Sequence, residues 1–124
     1  KYFNKMSVGG QQALLIWAKN RTRPYGLDVV DFHKSWMDGR AICAVIHYHC
    51  PKTMDWQDIE NALPYARTTI ATNVAEGLNM NMFLDPEDWL VIPKPDKLSI
   101  MTTLSEIYLF FKNPENSGTH ITIP

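Results

Sequence analysis

The sequence lacks an excess of charge of either sign. Its 124 residues include 12 lysines and arginines against 13 aspartates and glutamates, for a net charge of −1. A basic coat that binds nucleic acid over a whole surface is therefore excluded, and nucleic acid is not an expected partner. Any electrostatic partner must be bound by a local patch.

The chain also lacks a long apolar run and is poor in cysteine. No stretch approaches the ~20 apolar residues that cross a bilayer, and the N-terminal KYFNKMSVGG lacks the apolar segment of a signal peptide. If Cys43 and Cys50 share one helix, they lie about 10 Å apart, beyond disulfide reach. Two unpaired thiols fit a reducing compartment, so we expect a cytoplasmic protein. Because the first residue is Lys1 and not methionine, we expect a piece of a longer chain.

What the sequence does contain is apolar residues at helical spacing. Apolar residues of all kinds make up 45% of the chain, enough for one domain with one core. In four segments they recur at intervals of three and four, which predicts four amphipathic helices joined by loops and short turns. We therefore predict a compact all-α domain. The four stripes are Leu14, Trp17, Ala18 and Arg21; Ile42, Val45, Ile46 and His49; Ala66, Ile70 and Val74; and Ile100, Leu104, Ile107 and Phe111.

Capping residues and proline set the predicted helix ends. Ser7, Asn61 and Asp96 are the expected N-caps of the first, third and fourth helices. The second helix is expected over 35–49, ending before Pro51. Trp17 and Trp36 are expected core aromatics.

The stretch SWMDGRAICAVIHYHCP concentrates residue types that bind metals. On a helix, His47 and His49 point roughly 200° apart and cannot share one ion. Cys43, His47 and Cys50 fall within about a 60° arc, but a zinc site would also need tetrahedral geometry and a further ligand. We therefore predict no metal site here. The thiols are interpreted as small core residues and the imidazoles as locally hydrogen-bonded.

Signatures of catalysis are missing from the sequence as well. It contains no glycine-rich phosphate loop, no G-x-S-x-G and no H-E-x-x-H. Asp85, Glu87 and Asp88 stand beside a proline in LDPED, a pattern typical of a helix start. We predict a protein that is not an enzyme and needs no cofactor.

Five blocks, in order, resemble a known family. They are ALLIWAKNRT, DFHKSWMDGRAICAVIHYHCP, NVAEGL, LDPEDWL and PDKLSIMTTLSEIY, and together they resemble a calponin-homology domain, a fold of four main helices with short connecting helical turns. More narrowly, they resemble the second (type 2) domain of the tandem actin-binding region in the α-actinin, spectrin, dystrophin and filamin group. The resemblance covers residues 11–112. We expect the domain at 9–113, with linkers at 1–8 and 114–124.

The resemblance implies a non-catalytic module of an actin-binding region at the cytoskeleton. In such pairs the first domain carries most of the affinity for filaments. The second adds a modest contact, stabilises the pair and restrains it in a closed state. The implied partners are F-actin and an upstream calponin-homology domain, and alone the domain should be a monomer that binds filaments weakly. The implied actin contact lies on the first helix, at Gln11, Gln12, Lys19 and Arg23.

A second implied site binds acidic phosphoinositides. In some relatives these lipids bind the segment after the first helix, where charge-assisted hydrogen bonds hold the phosphates. In this sequence Asp28 and Asp31 dilute the charge of that segment. The residues that would form the site are Arg21, Arg23, Tyr25 and Lys34.

A third implied site is the interface with the partner domain, at Lys97 and Leu98 in the start of the last helix. Some relatives place a basic residue at the position of Leu98, which cannot make the same polar contact. The alternative to a tandem module is a lone calponin-homology domain that serves as an interaction or signalling adaptor without filament affinity.

Overall fold

The computed structural model describes residues 7–80 and 84–117, and every regular element within those ranges is helical. The predicted all-α architecture is confirmed, with one short helix added to the four expected. The α-helices are α1 Val8–Thr22, α2 Arg40–His49, α3 Trp56–Asn61, α4 Pro64–Gly77 and α5 Lys97–Lys112. The 3₁₀ turns are Arg23–Tyr25, Lys34–Trp36, Pro51–Thr53, Pro86–Leu90 and Pro114–Asn116.

Three helix ends lie where the sequence predicts them. Ser7 accepts a hydrogen bond from the backbone N–H of Gly10 at 3.0 Å, and Asp96 accepts one from Ser99 at 2.9 Å. These caps satisfy donors that the first turns of α1 and α5 leave unpaired. Pro51 follows directly after the end of α2 and opens a 3₁₀ turn.

The centre of the core is α2. Its residues from Ala41 to Ile46 are each 2% exposed or less, and the helix contacts α1, α3 and α4. The predicted stripe of α5, from Ile100 to Phe111, is buried as well. Trp36 is fully buried, and its indole N–H donates to the carbonyl of Asp31 at 2.8 Å. The core assignments for α2, α5 and Trp36 are confirmed.

The stripe predicted for α4 is confirmed only in part. Ile70 and Val74 are half-buried and pack against the core, but Ala66 is exposed. Small residues bring α4 against its neighbours, and each threonine hydroxyl among them donates to a carbonyl of the preceding helical turn. The buried residues of α4 are Thr68, Ala71, Thr72 and Ala75.

Three further expectations need correction. Asn61 is not the cap of α4 but the last residue of α3, and α4 begins at Pro64 without a side-chain cap. The second helix does not begin at residue 35, because Gly39 has a left-handed φ of 82° that separates α2 from the preceding 3₁₀ turn. Trp17 is half-buried at the edge of the core and not inside it.

Candidate functional site

The residues that looked most like metal ligands lie in separate packing environments. The Cys43 thiol donates to the carbonyl of Arg67 at 3.3 Å, and the Cys50 thiol donates to that of Asn116 at 3.6 Å. Burial raises the pKa of Cys43 to about 12. Within the two described ranges, no group of three or more histidine, cysteine, aspartate or glutamate side chains could hold a metal ion. Both thiols are buried, as interpreted from the sequence.

His49 joins the ends of α1 and α2. Its Nε2 accepts a hydrogen bond from Nε of Arg21 at 3.1 Å, and its ring stacks on Phe111 with centroids 4.2 Å apart. Burial, and to a smaller extent the positive charge of Arg21, lower the pKa of His49 to about 4. The Arg21 guanidinium also lies over the Tyr48 ring, 4.8 Å from its centroid. Arg21 is therefore engaged in holding two helices together.

Tyr25, in the turn after α1, likewise contacts residues of α2 and α3. Its hydroxyl lies 2.7 Å from Nδ1 of His47, and its ring packs on Trp56 with centroids 4.6 Å apart. Burial raises the pKa of Tyr25 to about 12, with the nearby Tyr48 adding to the shift. Burial also lowers the pKa of His47. The two histidines of HYH thus each bond to the segment 21–25, across the chain and not locally.

These contacts bear on the expected phosphoinositide site. Arg21 and Tyr25 make the internal contacts just described, whereas Arg23 and Lys34 are exposed. Arg23 donates to the side chain of Asn20 at 3.3 Å. Half of the expected set therefore packs against α2 and α3, and half faces solvent.

The expected actin contact lies along one stripe of α1 that continues onto Arg23, the helical C-cap residue just after it. Gln12, Lys19 and Arg23 follow one another at intervals of seven and four, within about 40° around the helix axis. Gln12 and Arg23 are exposed, and Lys19 is half-buried. Gln11, also half-buried, stands beside this stripe.

The carboxylates of LDPED stabilise the start of a 3₁₀ turn. Asp85 and Asp88 form a capping box at the beginning of Pro86–Leu90.

The first turns of α1 and α5 share an open groove with the segment 30–32. Its volume is about 240 Å³, and we call it the N-terminal groove. It brings Gln11 and Gln12, expected to contact actin, together with Lys97, expected to contact a partner domain. Leu98 is 44% exposed but does not line it. The lining residues are Val8, Gln11, Gln12, Leu15, Val30, Asp31, Phe32 and Lys97.

Sequence reasoning missed the apolar part of this groove. Val8 and Val30 are 72% and 56% exposed, although valine side chains are usually buried. Val30 belongs to the non-periodic stretch VVDF, which carries no signal for what it packs beside. Only their exposure in the folded chain identifies them as members of the groove.

In the part of the chain that the structure describes, no helix is long and apolar enough to cross a membrane.

Comparison with known proteins agrees with this architecture. A family model described as "Calponin homology (CH) domain" matches residues 9–113. Human alpha-actinin-3 is 39% identical over 114 residues, which are 90% of this chain and 13% of that protein. Sarcomeric alpha-actinin of Drosophila melanogaster is 37% identical over 112 residues, 89% of this chain and 12% of that protein. Human alpha-actinin-1 is 34% identical over 114 residues, 90% of this chain and 13% of that protein.

These matches define the class of protein. The chain belongs to the calponin-homology domain family, and the resemblance of its five sequence blocks to that family is confirmed. It is similar over nine-tenths of its length to a segment of the alpha-actinins, and spans 12–13% of the length of those relatives.

Proposed function

We propose that this chain is a non-catalytic module of an actin-binding region, in the second position of a tandem pair. It supports and modulates filament binding by an upstream calponin-homology domain and works without a cofactor, at the cytoskeleton. Its similarity to the alpha-actinins supports the actin-binding assignment. The observation that carries the proposal is the N-terminal groove, where Gln11 and Gln12 meet Lys97 on one surface.

The proposed filament contact is the stripe of Gln12, Lys19 and Arg23, which is exposed except for the half-buried Lys19. Lys19 and Arg23 form no ion pair with the described residues, so both charges remain for a partner. Exposed charges are screened over about 8 Å at physiological salt and contribute little each. This stripe alone should therefore bind weakly. Tethering it to a stronger neighbour makes its contact effectively intramolecular, so that a weak stripe still adds affinity.

The proposed partner-domain contact is the first turn of α5. Lys97 supplies a charge at the groove, and Leu98 offers an exposed apolar side chain where some relatives have a basic one. A domain seated on these residues would lie beside Gln11 and Gln12. The closed pair in this protein would then rest on apolar contact more than on a polar pair at position 98.

Lipid binding receives less support than filament binding. A phosphoinositide headgroup needs several cations that converge, and only Arg23 and Lys34 of the expected set face solvent. The proposed function therefore does not require the lipid. Arg21 and Tyr25 would have to leave His49 and His47 in order to bind it.

Cosedimentation with actin filaments tests the proposal. The 124-residue chain alone should pellet with filaments weakly or not at all, and the same chain joined to an upstream calponin-homology domain should pellet clearly. The upstream domain without this chain should bind more weakly than the pair. Micromolar binding by the isolated chain would show a primary filament site, contrary to the proposal. If the pair binds no better than its first domain, the adaptor alternative is favoured.

A further inference from the structure

Residues 113–117 fold back onto the end of α2, just beyond the match to the family model, which ends at residue 113. They contain the 3₁₀ turn Pro114–Asn116, which Asn113 caps by accepting a hydrogen bond from the backbone N–H of Glu115 at 3.1 Å. After the turn, Ser117 is only 5% exposed. This burial distinguishes the segment, which we call the strap, from a solvated linker.

Hydrogen bonds attach the strap to the end of α2 and to α5. The Ser117 hydroxyl donates to the backbone carbonyl of His49 at 2.9 Å, and the Cys50 thiol donates to the carbonyl of Asn116 at 3.6 Å. The Asn116 amide donates to the carbonyl of Phe110 at 2.8 Å. His49 is the last residue of α2, and a helix leaves its final carbonyls without partners inside the helix. The strap therefore caps α2 from a distant part of the chain.

This attachment buries little apolar surface. Asn113, Pro114 and Glu115 are exposed, and Asn116 is half-buried. The strap adds no side chain to the hydrophobic core of the described residues. Segments with few buried apolar contacts open locally, at a lower free energy than unfolding of the whole domain. The strap should therefore open while the helices remain folded.

The two free thiols of the chain can report on this opening separately. Cys50 is 6% exposed, and its Sγ lies against the strap. Cys43 is fully buried in α2, and its thiol donates to the carbonyl of Arg67 on α4. Opening of the strap would remove the contact of Cys50 with Asn116 but would leave the bond between Cys43 and Arg67 in place.

We propose that residues 113–117 are a strap of the domain that opens as a unit of its own, and that its opening uncovers Cys50. His49 also accepts the hydrogen bond of Arg21 through its ring, so the closed strap and the end of α1 are anchored to the same residue. Force applied to the chain after residue 117 would act first on the bond between Ser117 and His49. The inference does not depend on actin binding.

Thiol labelling of the 124-residue chain tests the proposal. Iodoacetamide is added at increasing urea concentrations, and alkylation of each cysteine is followed by peptide mass spectrometry. The dependence of an opening reaction on urea scales with the surface that it exposes. Cys50 should therefore react at a rate that changes little at low urea. Cys43 should react only through unfolding of the domain, with a steep dependence on urea.

Two variants separate strap opening from unfolding of the domain. Ser117→Ala removes one hydrogen bond and should raise the labelling rate of Cys50 about fivefold. Its matched control is Ser99→Ala, whose hydroxyl donates to Asp96 at the other end of α5, and which should leave Cys50 labelling unchanged. Ile59→Val, in the core at α3, should raise Cys43 labelling about fivefold and leave the rate at Cys50 unchanged.

Three results would overturn the proposal. The first is an equally steep urea dependence at Cys50 and Cys43, because unfolding of the domain would then uncover both thiols. The second is an Ile59→Val effect of equal size at the two cysteines. The third is Cys50 labelling that Ser117→Ala does not change, which would show that the strap does not protect this thiol.

Discussion

Arg21 donates its Nε hydrogen to Nε2 of His49 at 3.1 Å, and this bond joins the C-terminal ends of α1 and α2. The imidazole accepts the bond only when Nε2 carries no proton, so His49 must be neutral in the fold. A charged imidazole would also face the guanidinium at the same short distance. Protonation of His49 would therefore break the hydrogen bond that links the ends of α1 and α2, so the stability of this contact depends on pH.

Acid should destabilise the domain through His49. Its pKa is about 4 in the fold, against about 6.5 for an exposed histidine, so the unfolded chain binds more protons between these values. The stabilisation is complete above about pH 6.5 and is lost as the pH falls toward 4. We expect the free energy of unfolding to be about 1–2 kcal/mol lower at pH 5 than at pH 7. Urea denaturation at the two pH values measures this.

The control for the acid effect is His49→Gln. An amide oxygen can still accept from Arg21 but does not titrate, so the variant should lose less stability between pH 7 and pH 5. The remaining loss should come from His47, whose pKa is also lowered by burial. Identical pH profiles for the variant and the parent chain would show that His49 does not carry the effect.

Gly39 should tolerate no side chain. Its φ of 82° lies in the left-handed region, and an added Cβ would stand 2.7 Å from Cβ of Arg67 and 3.1 Å from the carbonyl oxygen of Pro64. Gly26 shares the left-handed region, with φ 76°, but has open space around it. Gly26→Ala should cost about 1 kcal/mol from backbone strain alone. Gly39→Ala should cost at least about 2 kcal/mol more, from overpacking. Equal losses in urea denaturation would show that the turn adjusts freely.

Arg67 should matter more for stability than any surface ion pair. Its guanidinium donates to the carbonyls of Asp38, Ile59 and Glu60 at 2.9, 2.8 and 3.1 Å, and so ties the turn before α2 to the end of α3. Arg67→Ala leaves these carbonyls without their donor and should cost about 3 kcal/mol. Arg67→Lys should recover only part of this, because an ammonium cannot match the planar guanidinium.

The comparison variant for Arg67 is Arg40→Ala. Arg40 pairs with Asp38 and Glu60 at 3.0 and 3.5 Å, but its side chain is 36% exposed. Removing it should cost less than about 1 kcal/mol. If the two alanine variants unfold at the same urea concentration, the backbone contacts of Arg67 are not what stabilises the junction.

Large apolar residues made most of the fold predictable. The stripes of α2 and α5 consist of isoleucine, leucine, valine and phenylalanine, whose helical spacing is a strong signal. α4 buries threonine and alanine, which carry little hydrophobic signal, so its buried side could not be read from the pattern. The start of α2 depends on Gly39 lying against Arg67, a contact between distant parts of the chain that no local pattern encodes.

The candidate site was predictable only one element at a time. The family resemblance led to Gln11 and Gln12 on one helix and to Lys97 on another, but spacing along the chain does not show that they line one groove. The engagement of Arg21 and Tyr25 with α2 is a similar case. Their charge and amphipathic character suggested a lipid site, whereas folding brings each beside a buried or half-buried histidine.

The charge of the α1 stripe should contribute modestly to filament binding by the tandem pair. Lys19→Glu combined with Arg23→Glu reverses both cations of the stripe without touching Arg21. Exposed, screened charges of this kind are worth about 0.5 kcal/mol each, so the Kd of the pair for filaments should rise about fivefold. The loss should shrink as salt rises, because screening removes the same interaction. Cosedimentation across a salt series measures both effects.

The matched control is Lys52→Glu, an exposed lysine on the turn Pro51–Thr53 that does not line the N-terminal groove. It changes the net charge in the same direction but leaves the stripe intact, so it should alter the Kd less than twofold. If Lys52→Glu weakens binding as much as a single reversal at Lys19 or Arg23, the effect arises from net charge and not from the stripe. If the double reversal leaves the Kd unchanged at low salt, where unscreened charges act most strongly, α1 does not contact the filament.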